Sequence, residues 1–154
     1  MKAIVLLIFL TFFSLNAVSI DKKYFYDVFK GGSMDSVDAL LSVYEEMEPV
    51  GEELIFKGAL YVKKAGFLNN LGQKIELFKK GREIVEKKIE EQPENVEFRF
   101  VRLIIQEKVP AILRYNSNKA EDAEMVIKGV NQLEKEVQEA IFDYSKNSSS
   151  LTFD

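Results

Sequence analysis

The chain contains neither histidine nor cysteine, and these two absences decide most of what its side chains can do. The usual general base near neutral pH is missing, and so are thiol nucleophiles and zinc sites of the common nitrogen or sulfur type. Serines are present, but no Gly-x-Ser-x-Gly turn surrounds one and no histidine exists to activate it. Gly31-Gly32 lacks a following lysine at the spacing of a phosphate loop. Acid–base chemistry would fall to carboxylates, lysines or tyrosines, as in glycoside cleavage by two acids flanking a bond. The acid clusters are Glu45, Glu46 and Glu48, then Glu90 and Glu91, then Glu121, Asp122 and Glu124. Each falls at a helix end or on a charged face, where solvated charge is the commoner reading. The last cluster also lacks the alternating oxygen ligands and central glycine of an EF-hand loop. From these residues we expect no catalytic group, no cofactor and no metal site.

The arginines are the more informative charges. Arg82 falls within an apolar stripe of Ile75, Phe78, Val85 and Ile89, and Arg99 and Arg102 lie on a strongly apolar helix. Arg114 follows the turn after that helix, with Tyr115 as a further donor. Gathered near one core, these groups form an anion-reading pocket in one reading. In the other they are paired with Glu97, Glu86 or helix-end carbonyls, with their stems covering apolar surface. The second reading is the commoner fate of buried charge.

The elements that must position these groups are helices. Tyr24, Phe25, Val28 and Phe29 suggest a short aromatic helix ended by Gly31-Gly32. With Tyr26, its aromatics either close the end of a bundle or form a docking strip; large exposed apolar patches are uncommon in monomers. Met34, Val37, Leu40, Leu41 and Tyr44 share the face of a second helix, capped by Ser33 or Asp35 and ended by Pro49 and Gly51. A third, from about Glu52 to Phe67, carries Gly58 and Ala65 on one side, where missing bulk admits a neighbouring helix. A fourth spans about Leu71 to Glu91. Pro93 opens a fifth, Glu94 to about Lys108, which is apolar almost all round and so reads as the central one. Val109-Pro110 breaks the pattern. Asn118 and Glu121 suggest a capping box for a single last helix bearing Val126, Val130, Leu133, Val137, Ile141 and Tyr144. No strand pattern of useful length appears, so the expected fold is all-α, a compact array of antiparallel helical hairpins in one domain.

The first residues follow the layout of a secretory signal peptide. Lys2 precedes an apolar run from Ala3 onward, and Ala17-Val18-Ser19 supplies small residues for a peptidase. The run falls short of the about 20 residues that span a bilayer. We therefore expect a leader over 1–19, a helical domain over 20–146 and a polar tail over 147–154, in an exported protein of the periplasm or outside the cell. With no cysteine, no lipid anchor follows the leader. Without Lys2 the chain carries 20 basic and 25 acidic residues, a formal charge of −5. That acidity argues against nucleic acid as partner, and no single basic amphipathic face points to a membrane surface.

The stretch Pro93-Glu94-Asn95-Val96-Glu97-Phe98-Arg99-Phe100-Val101-Arg102 is followed by Gln106, Val109-Pro110 and Leu113-Arg114-Tyr115. Together with Lys57-Gly58-Ala59, and with Phe78 followed by Gly81, it resembles an uncharacterised family of small exported helical proteins of Bacteroidetes-type bacteria. The likeness runs from Lys57 to Asp122. It implies a signal peptide and a tetratricopeptide-like helical core, and carries no activity. The likeness to tetratricopeptide repeats themselves is looser, because Gly58 to Pro93 exceeds a repeat of about 34 residues and no second copy is visible. Three functional expectations follow. The first is a non-enzymatic binding or scaffolding module of a cell envelope, with a protein or peptide partner in a groove. The second is a carrier of a small apolar or acidic ligand, which needs a real cavity between helices. The third is a carboxylate-dependent hydrolase, which needs an acid of raised pKa in a cleft.

Overall fold

A computed structural model describes residues 20–153; the leader expected over 1–19 lies outside the described residues. Four of the helices begin where a side chain accepts from the free N–H groups of the first turn. Asp21 accepts from Lys23 N (2.8 Å) to start α1, Lys22–Gly31. Ser33, one of the two caps expected, accepts from Ser36 N to start α2, Met34–Met47. That helix ends at Glu48 in the left-handed region (φ 46°), just before Pro49. A single 3-10 turn over Gly51–Glu53 leads into α3, Leu54–Phe67. Asn70 caps α4, Leu71–Glu91. Asn95 accepts from Phe98 N (3.1 Å) to cap α5, Val96–Lys108. Pro93 and Glu94 therefore precede that helix instead of forming its first turn, a correction to the expected start.

The single last helix expected from its unbroken stripe is two. α6 spans Lys119–Gly129 and α7 spans Lys135–Ser145, joined through a 3-10 turn at Val130–Gln132. The break keeps Val126, Val130, Val137, Ile141 and Tyr144 buried, so the periodicity survives a change of axis. The expected capping box at Asn118 is also absent. Its backbone N–H donates to Gln106 Oε1 (3.2 Å), and its side-chain oxygen accepts from Gln106 Nε2 (3.3 Å). Gln106 is buried, so α5 supplies the cap that sequence spacing assigned to Glu121.

Among the described residues every regular element is a helix. α3 and α4 form the closest hairpin, crossing backbone to backbone. A Cβ added to Gly81 would lie 2.5 Å from the carbonyl oxygen of Gly58, and one added to Gly58 would meet Ile84 at 2.9 Å. At these two glycines the space is taken by the facing backbone and by Ile84 and Val62, so no further side chain fits. α5 is buried as expected, but α3 is a second central helix, with Ile55, Phe56, Ala59, Leu60, Tyr61, Val62 and Ala65 all in the core. Its polar positions are chiefly lysines, whose stems can lie along apolar surface. The aromatics of α1 are core: Phe25 and Tyr26 are each 1% exposed, and Phe25 packs against Phe56 and Phe29. Only Tyr24 faces water among them, so no aromatic docking strip exists there.

The segment expected to be a polar tail folds back. Ser148, Ser149 and Ser150 surround the Glu107 carboxylate at 2.8 to 3.0 Å, Tyr144 donates to it at 2.6 Å, and Leu151 is fully buried. Burial pushes the Glu107 pKa up, but the hydrogen bonds from Tyr144 and the three serines outweigh it and hold it low.

Candidate functional site

Of the expected arginine cluster, Arg99, Arg102 and Tyr115 come together, held by carboxylates. Arg102 binds Asp122 through both oxygens, with Nε to Oδ2 and Nη2 to Oδ1 each at 2.7 Å, and its Nη1 reaches Glu86 at 2.9 Å. Arg99 donates Nε to the Pro93 carbonyl (2.8 Å) and Nη1 to both Glu121 and Asp122 (3.1 Å each). Tyr115 donates to the other oxygen of Glu86. Desolvation opposes the Arg102 charge, yet the bond to Asp122 and the charges of Asp122 and Glu86 win, and its pKa is raised. Burial, then the bond to Glu86, raises that of Tyr115. Every nitrogen of Arg102 is engaged by a carboxylate, and its side chain is buried. Of the pairings expected for these arginines Glu86 holds, whereas the carbonyl bound by Arg99 is that of Pro93 in the turn between α4 and α5, not a helix end, and Glu97 pairs elsewhere, with Lys22 and Tyr26.

Two of the expected site residues lie outside this core. Arg82 is exposed, not seated in an apolar stripe, and stacks over the Tyr115 ring at 4.9 Å from its centroid. The buried stripe of α4 runs through Phe78, Gly81, Val85, Lys88 and Ile89, with Gly81 against α3, which leaves Arg82 beside it. Arg114 is exposed at a left-handed position (φ 48°) and does not join the cluster. The partner that sequence reasoning missed is Asp122, grouped there with Glu121 and Glu124 as solvated charge but 0% exposed. The signal was available: two arginines three residues apart on a buried helix require a carboxylate, and the first turn of α6 offers adjacent acids. The other expected acid clusters lie at the surface.

A second region was not singled out from sequence. Between α1, α3, α4 and α5 lies a cleft of about 370 Å³. Its floor is apolar, formed by Phe29, Val62, Ala65, Phe78, Ile104 and Ile105. Val109, Pro110 and Leu113 form one lip, where Pro110 turns the chain away from α5. Ala65 and Gly66 add little bulk to the lining, and a Cβ added to Gly66 meets no atom within 4 Å. Four lysines, Lys30, Lys63, Lys74 and Lys108, complete the lining, and no acidic residue does. Lys30 is neutralised by Asp143 at 2.7 Å. Among the described residues, Lys63, Lys74 and Lys108 make no ion pair. Lys63 lies near the Phe67 ring and 3.4 Å from the Lys30 carbonyl. Burial first, then the Lys108 charge, lowers the Lys63 pKa.

Among the described residues no helix is long and apolar enough to cross a membrane, and no group of acids is arranged to hold a metal. No family model, curated protein or solved structure matches the chain. The functional argument therefore rests on these two regions: beside the arginines an open polar groove of about 540 Å³ is lined by Arg82, Glu83, Glu86 and Glu90, whereas the cleft offers an apolar floor.

Proposed function

We propose that the chain is a non-enzymatic binding module of a cell envelope that carries a small apolar ligand in the cleft between α1, α3, α4 and α5. The observation that carries this reading is a cleft of about 370 Å³ with an apolar floor. That size falls in the range of about 300–1,000 Å³ typical of small-molecule sites. The hydrolase reading has less support. Glu97 does have its pKa raised, first by burial, but Lys22 (2.8 Å) and Tyr26 (3.1 Å) occupy its oxygens. A protein or peptide partner is the second reading, favoured by Ile112, 87% exposed on the lip of the cleft. It places an apolar side chain of that partner in the same site. The envelope setting rests on the leader-like residues 1–19.

The test is titration of residues 20–154 with a neutral environment-sensitive dye, N-phenyl-1-naphthylamine. Residues 20–153 contain the whole described core. Saturable binding of one dye per chain is expected, and Gly66→Leu, which adds bulk at the cleft, should abolish it while the helical circular dichroism persists. Absence of saturable binding by the native protein would contradict the reading.

A further inference from the structure

Resting on that reading, we propose that the ligand is an anion: a single apolar chain ending in a carboxylate or phosphate, whose charge sits among Lys63, Lys74 and Lys108. The chain is acidic overall, with 25 acidic against 21 basic residues. Yet four of the residues lining the cleft are lysines and none is an acid. Several partly buried cations elsewhere are matched: Lys22 to Glu97, Lys64 to Asp38, Lys88 to Glu91, and both buried arginines to carboxylates. Of the cleft's lysines only Lys30 is matched, to Asp143.

Lys63 on α3, Lys74 on α4 and Lys108 on α5 stand around an apolar floor, and the Lys63 pKa is lowered first by burial and then by opposition from the Lys108 charge. An anionic head relieves it and an apolar tail fills the void. Lysines read charge without the fixed fork of a guanidinium, so carboxylate and phosphate are equivalent here. The apolar rim allows the tail to enter, because Ile112 lies between the lining residues Pro110 and Leu113. Leu71, 68% exposed, stands one helical turn from Lys74.

The experiment compares dodecanoate, dodecyl phosphate, dodecanol and dodecyltrimethylammonium, each below its micellar concentration, on residues 20–154 by calorimetry. Native protein is set beside a Lys63→Gln/Lys74→Gln/Lys108→Gln variant. Both anions should bind about tenfold more tightly than the alcohol, the scale of one charge-assisted contact, and the ammonium least. The preference should shrink in high salt and vanish in the variant, whose binding of the alcohol is unchanged. Equal binding of dodecanoate and dodecanol overturns the proposal while leaving the apolar cleft intact. If no amphiphile binds, the cleft reading falls with it. A preference that persists in the variant assigns the charge reading elsewhere and also overturns it. Sedimentation with phosphatidylglycerol vesicles separates the sources: binding to vesicles but not to monomeric dodecanoate would move the lysines' role to a lipid surface.

Discussion

The two cationic regions of this protein use positive charge in opposite ways. Around Asp122 the guanidinium groups of Arg99 and Arg102 are held by carboxylates and a carbonyl. Around Ile104 and Ile105, on the same helix α5, the lysines face a void with no carboxylate among its lining residues. Arginine suits the first place because its planar fork matches a carboxylate through two bonds at once. Lysine suits the second because a point charge on a flexible stem can follow a ligand. The contrast teaches that charge type and pairing, more than charge density, separate a structural cluster from a binding site.

The largest effect that could break this comparison is at Asp122. Asp122→Ala leaves Arg99 and Arg102 without their shared partner, and removing one member of a buried pair typically costs about 3–5 kcal/mol. Chemical denaturation should show that loss, and any protein that stays folded should bind dodecanoate as the native does. If Asp122→Ala instead left stability unchanged and abolished ligand binding, the two regions would have exchanged roles.

Next in size is Glu107, a carboxylate beside Lys108 that holds the C-terminal segment. Its lowered pKa means that its stabilising bonds are complete above the ordinary carboxylate pKa and are lost as pH falls through the lower folded value. Glu107→Ala should cost about 1–3 kcal/mol at neutral pH, as for hydrogen bonds to a charged group. It should also speed amide exchange at Ser150 and Leu151, and the difference from native should fade in acid. A variant whose deficit persisted unchanged at low pH would show that the carboxylate's charge is not what holds the segment.

The smallest effect sharpens the other side. A structural ion pair loses stability when its cation is removed, but the unpaired Lys63 should not. Lys63→Gln is expected to shift stability by no more than about 0.5 kcal/mol, as at an ordinary surface position. Because the folded pKa of Lys63 is lowered, the unfolded chain binds more protons at alkaline pH. Native stability therefore gains a small increment there as pH rises toward the ordinary lysine pKa, and Lys63→Gln removes it. Thermal melts at neutral and alkaline pH check both points.

How far these regions were legible in the sequence differs for the same physical reason. The helices were readable because a repeat of apolar residues every three or four positions survives almost any packing. That robustness also hid the break after Gly129, where Val126, Val130 and Val137 keep phase across a 3-10 turn. The arginine cluster was legible because Arg99 and Arg102 lie three residues apart on one apolar helix. Its carboxylate was half hidden, since Asp122 has exposed Glu121 and Glu124 as neighbours. The cleft left no local trace: Lys63, Lys74 and Lys108 come from three helices, each bearing other lysines on its surface. Its single hint was Ala65-Gly66 near the end of a strongly apolar helix, small residues where a bulky one would close the void. Ser148–Ser150 read as a tail because their partner, Glu107, lies some forty positions away.

The most direct test follows backbone amide and arginine Nε signals by nuclear magnetic resonance while dodecanoate is added to residues 20–154. The account predicts saturable shifts concentrated at Val62, Lys63, Gly66, Ile105 and Val109, with the Nε signals of Arg99 and Arg102 unmoved. Shifts centred on Arg99, Arg102 and Tyr115, or no saturable shift at the cleft, would contradict it.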